Sequence, residues 1–187
     1  QSRTELEALL GEVARLRPAT VVEIGTASGG TLFMLTRAAA DDAILVSIDL
    51  PGGAFGGGYP VWRAPLYRSF ARPGQHVHLL RRDSHDPSTL EALQDALGGR
   101  KVDFLLIDGD HTYHGVKKDF EMYRVLVRPG GMIGFHDIVP HSEESGCQVN
   151  RFWLEICRSC DSVEFVENWQ SRFGGIGLLR SYQPVTH

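Results

Sequence analysis

The stretch Val21-Val22-Glu23-Ile24-Gly25-Thr26-Ala27-Ser28-Gly29-Gly30-Thr31 restricts the fold more than any other part of the chain. Four residues of buried-strand character run into a short, glycine-bearing turn. An apolar helix carrying Leu32, Phe33 and Leu35 follows, expected to run to about Ala40. Strand, tight turn and helix open a nucleotide-binding α/β unit, in which backbone N–H groups at the helix start face a ligand. Two common fingerprints do not fit. The dinucleotide pattern G-x-G-x-x-G needs glycine where Ala27 stands, and the P-loop needs lysine where Thr31 stands. What remains is a carboxylate, Glu23, two residues before Gly25, which suits a cationic or polyhydroxyl ligand better than a pyrophosphate.

The remaining chain supplies partners for that unit. Leu6, Leu9, Leu10, Val13 and Leu16 recur at helical spacing, so residues 3–17 read as an amphipathic helix closed by Pro18. Ala43 to Ile48 is a second strand ending in Asp49. Residues 50–60 hold five glycines in eleven positions and read as a mobile loop near a site, followed by a short helix over 62–71. His76 to Leu80 is a third strand. Asp86-Pro87 starts a helix with Leu90, Leu93 and Leu97 on one face, stopped by Gly98-Gly99. Val102 to Ile107 is an almost unbroken apolar run, as a central parallel strand requires. A helix is predicted over 113–127, and Pro129-Gly130-Gly131 is read as the turn into a fifth strand, Met132 to Phe135. A helix over 147–158 and two strands, 162–166 and 175–179, complete the chain as an antiparallel hairpin. The predicted fold is α/β: a Rossmann-like, doubly wound, seven-stranded and mostly parallel sheet with an antiparallel C-terminal hairpin.

At 187 residues a single domain over 1–187 is expected, with 50–72 covering the site. A net charge of −4 gives no basic excess, which disfavours nucleic acid. No apolar run approaches the ~18 residues of a membrane span, and the polar start does not resemble a signal peptide. Three clustered cysteines, Cys147, Cys157 and Cys160, do not make a disulfide scaffold and fit a reducing cytoplasm. The first residue is not methionine, so processing at the front is compatible with the sequence.

The chemistry gathers at one edge. Glu23, Asp49, Asp83, Asp108 with Asp110, and His136 with Asp137 each lie at or near the carboxyl end of a different predicted strand. In open α/β sheets that edge carries the ligand crevice, where strand order reverses. A single acid there means little, because Asp is common in turns and caps. Five strands delivering polar groups to one edge define a site.

On the motifs Val-Val-Glu-Ile-Gly-Thr-Ala-Ser-Gly-Gly, Ile-Asp49, Asp83-Ser84, Leu-Leu-Ile-Asp108-Gly-Asp110-His111 and the Pro-Gly-Gly turn, the chain resembles the class I S-adenosylmethionine (SAM)-dependent methyltransferases. Within that class it is similar to the small-molecule O-methyltransferases that include cephalosporin-biosynthesis proteins and metal-dependent sugar O-methyltransferases. The resemblance implies that Gly25, Thr26, Ser28 and Gly29 lie against the methionine part of SAM, with Glu23 holding its ammonium directly or through water. It implies that Asp49 takes the ribose hydroxyls, that Asp83 and Ser84 border the adenine, and that Asp108 adjoins the cofactor. In the metal-dependent relatives an acid after the fourth strand and two adjacent acids after the fifth bind Mg²⁺. Here Asp108 and Asp137 match, but His136 replaces the first acid of the pair, so Asp108, His136 and Asp137 would hold Mg²⁺ or Mn²⁺, with Fe²⁺ also admitted.

The implied reaction moves a methyl group to a hydroxyl of a sugar, glycoside or other natural product, with Asp110 as the base and His111 as the alternative. The expected partner is thus a small-molecule hydroxyl acceptor, and a homodimer is compatible with such a chain. His114 is read as a rim residue. Cys157-x-x-Cys160, one pair alone, does not specify zinc. Phe55, Tyr59 and Trp62 are candidates for an acceptor pocket, with ordinary packing the other reading. A nicotinamide dehydrogenase would use the same fold with Asp49 on a ribose, and the residue at Ala27 argues against it. A non-catalytic SAM-binding protein is the third reading.

Overall fold

The computed structural model describes residues 2–182, so the single-unit expectation over 1–187 extends beyond the described residues at both ends. Among the described residues six α-helices and seven strands follow in the order α1 (Arg3–Leu16), β1 (Thr20–Ile24), α2 (Gly30–Ala38), β2 (Ile44–Ile48), α3 (Ala64–Arg68), β3 (His76–Leu80), α4 (Pro87–Leu97), β4 (Val102–Ile107), α5 (Tyr113–Tyr123), β5 (Val127–His136), α6 (Val149–Ile156), β6 (Ser162–Phe165) and β7 (Ile176–Tyr182). Local chemistry sets several boundaries. The Asp86 carboxylate accepts the Ser88 N–H at 2.9 Å and Pro87 occupies the first turn of α4. Thr112 caps α5 by accepting the Gly115 N–H at 3.0 Å. Arg17, in the left-handed conformation at φ 47°, ends α1 just before Pro18.

One sheet has the order β3-β2-β1-β4-β5-β7-β6. β1 to β5 are parallel, and β7 inserts antiparallel between β5 and β6. Strand order therefore reverses between β1 and β4. Side chains alternate across the sheet. Val22, Ile24, Val46, Ile48, Leu105 and Ile107 face α4, α5 and α6, where Phe120, Phe152 and Trp153 are buried. Val21, Leu45, Phe104, Leu106 and Leu178 face the other layer, with Leu9, Val13, Leu32, Leu35 and Tyr67 from α1, α2 and α3. Both faces of β4 are thus covered, which explains its unbroken apolar run. Among the described residues no helix is long and apolar enough to cross a membrane.

The structure corrects four boundaries. α2 stops at Ala38, because Ala39 is already extended. α5 stops at Tyr123 and passes through one 3₁₀ turn, Arg124–Leu126. Pro129-Gly130-Gly131 does not precede β5 but lies inside it: Val102 pairs with Val127 and Phe104 with Met132, so two steps on β4 match five on β5. The surplus is absorbed as a bulge at Gly130, whose φ is +74°. β7 runs three residues beyond the predicted 179, pairing with β5 as far as Tyr182.

At the reversal point β1 and β4 meet closely. The Gly25 N–H donates to the Ile48 carbonyl and the Asp108 N–H to the Ile24 carbonyl, both at 2.8 Å. Gly25 has φ +95°, and a Cβ there would stand 2.0 Å from the Asp108 carbonyl oxygen. Gly30, at the start of α2, has nothing within 4 Å of a Cβ. Gly25→Ala is expected to lose about 3 kcal/mol or more of stability through backbone strain and overlap. Gly30→Ala should change it by less than about 0.5 kcal/mol. Denaturant midpoints of the two variants check the contrast; equal midpoints would show that the strand junction is not sterically closed.

Candidate active site

A cleft of about 780 Å³ opens along the carboxyl ends of β1, β2, β4 and β5. Of the residues singled out from sequence, Gly25, Thr26, Ser28, Asp49, Asp83, Ser84, Asp108, Asp110, His111, His136 and Asp137 line it. Glu23 and Gly29 do not. Strand alternation turns Glu23 onto the Val21 side of β1, where it is 1% exposed. Its carboxylate accepts the Ser47 hydroxyl at 3.0 Å, and Ser47 shares a short hydrogen bond with Thr26. Burial, above all, lifts the Glu23 carboxyl to about 8. Glu23 thus sits beneath the turn, and its Oε1 is buried without a hydrogen-bond partner. Gly29 caps α2 at φ +80° and lies against the Tyr67 ring, whose hydroxyl donates to the Ala27 carbonyl at 3.0 Å. Ala27 takes φ 42°, the conformation usually given to glycine, so the turn is tight without the second glycine of the dinucleotide pattern.

Asp49 lies at the end of β2, 4% exposed. Both of its oxygens stand 3.0 Å from the Gly58 N–H, so the glycine-rich loop folds back onto this carboxylate. Burial pushes its carboxyl up, against backbone hydrogen bonds from Gly58, Thr26 and Ala27. The loop continues across the cleft: Gly53, Ala54, Phe55 and Gly57 line it, and the Phe55 ring stacks on His111 with centroids 4.8 Å apart. Tyr59 is instead buried against Tyr67 and belongs to the core, and Trp62 is 70% exposed outside the cleft.

Beyond β3, the Asp83 carboxylate accepts the His85 N–H at 2.8 Å, and Tyr123 donates to the Ser84 carbonyl at 2.7 Å. His85 also lines the cleft. Its Nε2 stands 3.2 Å from the Gly115 carbonyl and 3.3 Å from the fully buried carboxylate of Asp119, which raises the imidazole above its ordinary range.

The ends of β4 and β5 bring two carboxylates and two imidazoles into one cluster. His111 Nε2 is 3.4 Å from Asp108 Oδ1, and its Nδ1 is 3.2 Å from Asp137 Oδ2. His136 Nδ1 is 3.3 Å from Asp108 Oδ1 and 3.2 Å from Asp137 Oδ2. Burial works against charge on all four, yet mutual attraction prevails. Hydrogen bonds and charges from the acids push His111 and His136 up to about 10. The imidazoles in turn hold Asp108 and Asp137 below the usual carboxylate range. Asp137 is further set by its backbone, at φ 64°, and its Oδ1 accepts the Gly174 N–H at 3.0 Å. Asp110 accepts the Thr112 N–H at 2.9 Å and lies beside Gly115, at the first turn of α5. The exposed His114 stays outside the lining.

Several side chains of this site were not singled out from sequence. His85, Asp119 and His141 carry chemistry that only the fold brings here, with His141 Nε2 3.3 Å from Asp137 Oδ1. Cys147, weighed before only for disulfides, brings its sulfur within 4.8 Å of a ligand atom of His111. The spacing of His141, four residues after Asp137, was a usable hint. Cys157 and Cys160 take no part in any ligand-capable group among the described residues.

Two triads could hold a metal ion: Asp108, His136 and Asp137, and His111, Asp137 and Cys147, each with its ligand atoms within 4.8 Å of one another. The first fits a divalent cation by donor chemistry. It also leaves His136 Nε2 buried without a partner, an atom that native interiors rarely leave unmade.

Comparison with known proteins agrees with this architecture. An uncharacterized protein of Sinorhizobium fredii is 32% identical over 160 residues, covering 82% of this chain. The chain spans only 16% of that relative's length, and 51% of a second, viral relative's. Among solved structures, an O-methyltransferase from Bacillus cereus in complex with SAH superimposes with a TM-score of 0.66 at 20% identity, covering 96% of this chain and 82% of that one. The O-methyltransferase TomG from Streptomyces achromogenes, in complex with SAM, gives 0.67 at 19% identity, covering 97% and 82%. Both share the fold. A family model described as a methyltransferase domain matches residues 22–138, which run from β1 to the end of β5 and contain both halves of the cleft. The chain therefore belongs to the methyltransferase-domain family, built on the class I fold.

Proposed function

We propose that the chain transfers a methyl group from SAM to a hydroxyl of a small molecule, with a sugar, glycoside or other natural product as the acceptor class. The observation that carries this reading is the division of one cleft into two halves. The Gly25–Gly30 turn and Asp49 form one, and the carboxylate–imidazole cluster forms the other. SAM lies on the first, with its ribose hydroxyls on Asp49 in place of, or shared with, the Gly58 N–H, and its adenine beside Asp83 and Ser84. The acceptor enters beside Asp110 and the cluster, under the loop that carries Phe55.

The acceptor oxygen attacks the methyl carbon in line with the departing sulfur. The carbon–sulfur bond breaks, the hydroxyl proton leaves, and a methyl ether and S-adenosylhomocysteine (SAH) result. Asp110 takes the proton. His111 retains its own to about pH 10 in the ion-free chain, so it serves the cluster's charge balance instead. Asp108, His136 and Asp137 would hold a divalent cation, which when bound supplies Lewis acidity that eases loss of the hydroxyl proton. The loop over residues 50–58 excludes water from the reacting atoms, with Phe55 as its inner face.

Calorimetric titration with SAH tests the cofactor half. Asp49→Ala should weaken SAH roughly 10- to 100-fold, the loss of about 1.5–3 kcal/mol expected when a charged acceptor is removed. Unchanged affinity would refute the placement, and stabilisation by NAD but not by SAH would refute the methyl-transfer reading.

The charge cluster sets a pH dependence. His111 and His136 titrate near 10 when folded and near 6.5 when unfolded. The stability they contribute is fully present below pH ~6.5 and is lost as pH rises through about 10. Asp108 and Asp137 act oppositely, contributing above pH ~4 and losing that contribution as pH falls through their lower native values. With chelator present, the unfolding temperature should fall between pH 6.5 and 10, and His136→Gln should flatten that fall. A wild-type curve already flat over the window would show that the imidazoles are not held by the acids.

A further inference from the structure

The triad His111, Asp137 and Cys147 differs in chemistry from Asp108, His136 and Asp137. It combines an imidazole, a carboxylate and a thiol, with ligand atoms all within 4.8 Å. His111 and Asp137 line the cleft and Cys147 stands behind them, 9% exposed. Three features fix the triad. Gln148 donates its N–H to the His111 carbonyl at 2.7 Å, and Cys147 donates its own to the Ser145 hydroxyl at 3.1 Å, so the segment after β5 is stitched to the end of β4. Asp137 Oδ1 is held by Gly174, which leaves Oδ2 turned towards His111. The Cys147 sulfur lies within 4.8 Å of the ligand atoms of both His111 and Asp137. Two of these bonds fix the backbone that carries His111 and Cys147, and the Gly174 bond orients the Asp137 carboxylate itself, as a supporting shell around a metal site does.

In the adjoining cluster, His136 Nε2 is buried and makes no hydrogen bond. The His111–Asp137 spacing of 3.2 Å is close to the separation of about 3.3 Å between two donors around a tetrahedral ion at 2.0–2.1 Å. Mg²⁺ calls for oxygen donors in an octahedron, and a thiol with an imidazole does not meet that demand. An N/O/S set instead suits the borderline-soft divalent ions.

We propose that His111, Asp137 and Cys147 bind a zinc-class divalent cation (Zn²⁺, with Co²⁺ as its spectroscopic stand-in) in preference to Mg²⁺. The site deepens the reading of a cation-assisted transferase, on which it rests only for the use made of the ion. Three protein ligands leave a fourth position open, the arrangement of zinc sites that work on a substrate rather than hold a fold together. His111 then acts as a ligand, and Asp137 is the residue through which this site and the Asp108–His136 side meet.

Cobalt titration of the full chain tests the assignment without any turnover. The expected result is uptake of Co²⁺ with a sulfur-to-cobalt charge-transfer band in the near ultraviolet, undisturbed by millimolar Mg²⁺. Cys147→Ser should abolish the band and weaken Zn²⁺ at least tenfold in competition with a chromophoric chelator, and His111→Gln should weaken it similarly. Cys157→Ser should keep the band. Co²⁺ uptake without the band in the wild-type chain would overturn the proposal, as would a Zn²⁺ affinity unchanged by Cys147→Ser or no Co²⁺ uptake at all. Because the wild-type spectrum decides by itself, a variant that failed to fold would not blunt the test. SAH binding measured on the same samples separates the two readings. Ion uptake with the band but no SAH binding would sink only the methyl-transfer reading, and SAH binding without the band would sink only this site.

Discussion

The backbone contact between Gly25 and Asp108 is the constraint from which the cleft is built. Two parallel strands that share a central position run side by side to their carboxyl ends and then part, one towards α2 and the other towards α5. The 2.8 Å hydrogen bond from the Asp108 N–H to the Ile24 carbonyl holds them together to the last residue before they separate, and the Gly25 N–H, bonded to the Ile48 carbonyl at 2.8 Å, ties the same point to β2. No side chain fits at Gly25, with a Cβ position 2.0 Å from the Asp108 carbonyl oxygen. The turn at 25–30 and the segment 108–111 therefore start from one fixed point. Every other lining residue takes its place relative to that junction.

On the far side of the junction the organising force is charge. Asp108 and Asp137 lie close enough that burial alone would favour their neutral forms, and His111 and His136, each within 3.4 Å of both, offset that. The result is a nearly neutral cluster in the ion-free chain. A cation entering it would replace protons rather than add charge. The same arrangement explains why the strained backbone at Asp137 is tolerated: the carboxylate is anchored by Gly174 and by two imidazoles.

Much of this was legible in the sequence, for physical reasons. Apolar runs such as Val102 to Ile107 read correctly because a strand covered on both faces has no polar option. The acids at strand ends read correctly because the carboxyl edge of a parallel sheet is the one place where five separate segments converge. What escaped depends on details a pattern does not carry. Glu23 is two residues from Gly25, yet strand alternation buries it beneath the turn, where a pattern cannot show its surroundings. Pro129-Gly130-Gly131 looks like a turn, yet a bulge can absorb it within β5. Tyr59 and Trp62 are neighbours of the glycine loop in sequence, but one packs inward and the other faces solvent. His141 and Cys147 reach the site along an irregular segment with no period to read.

One loop of the hairpin has a consequence for how the molecule assembles. The N–H groups of Glu167 and Gly175 both donate to Glu5, at 3.0 and 3.1 Å, while Gly174 donates to Asp137. Residues separated by 162 and 170 positions are thus joined through a single carboxylate on α1. Such distant pairings close late in folding, after local structure has formed. On a ribosome, α1 and the first βα unit emerge long before β7 exists. The turn over 25–30 can then take shape early, whereas Asp137 acquires its anchor only when the hairpin docks. Order of synthesis thereby becomes order of site assembly: the turn after β1 first, the anchoring of Asp137 last.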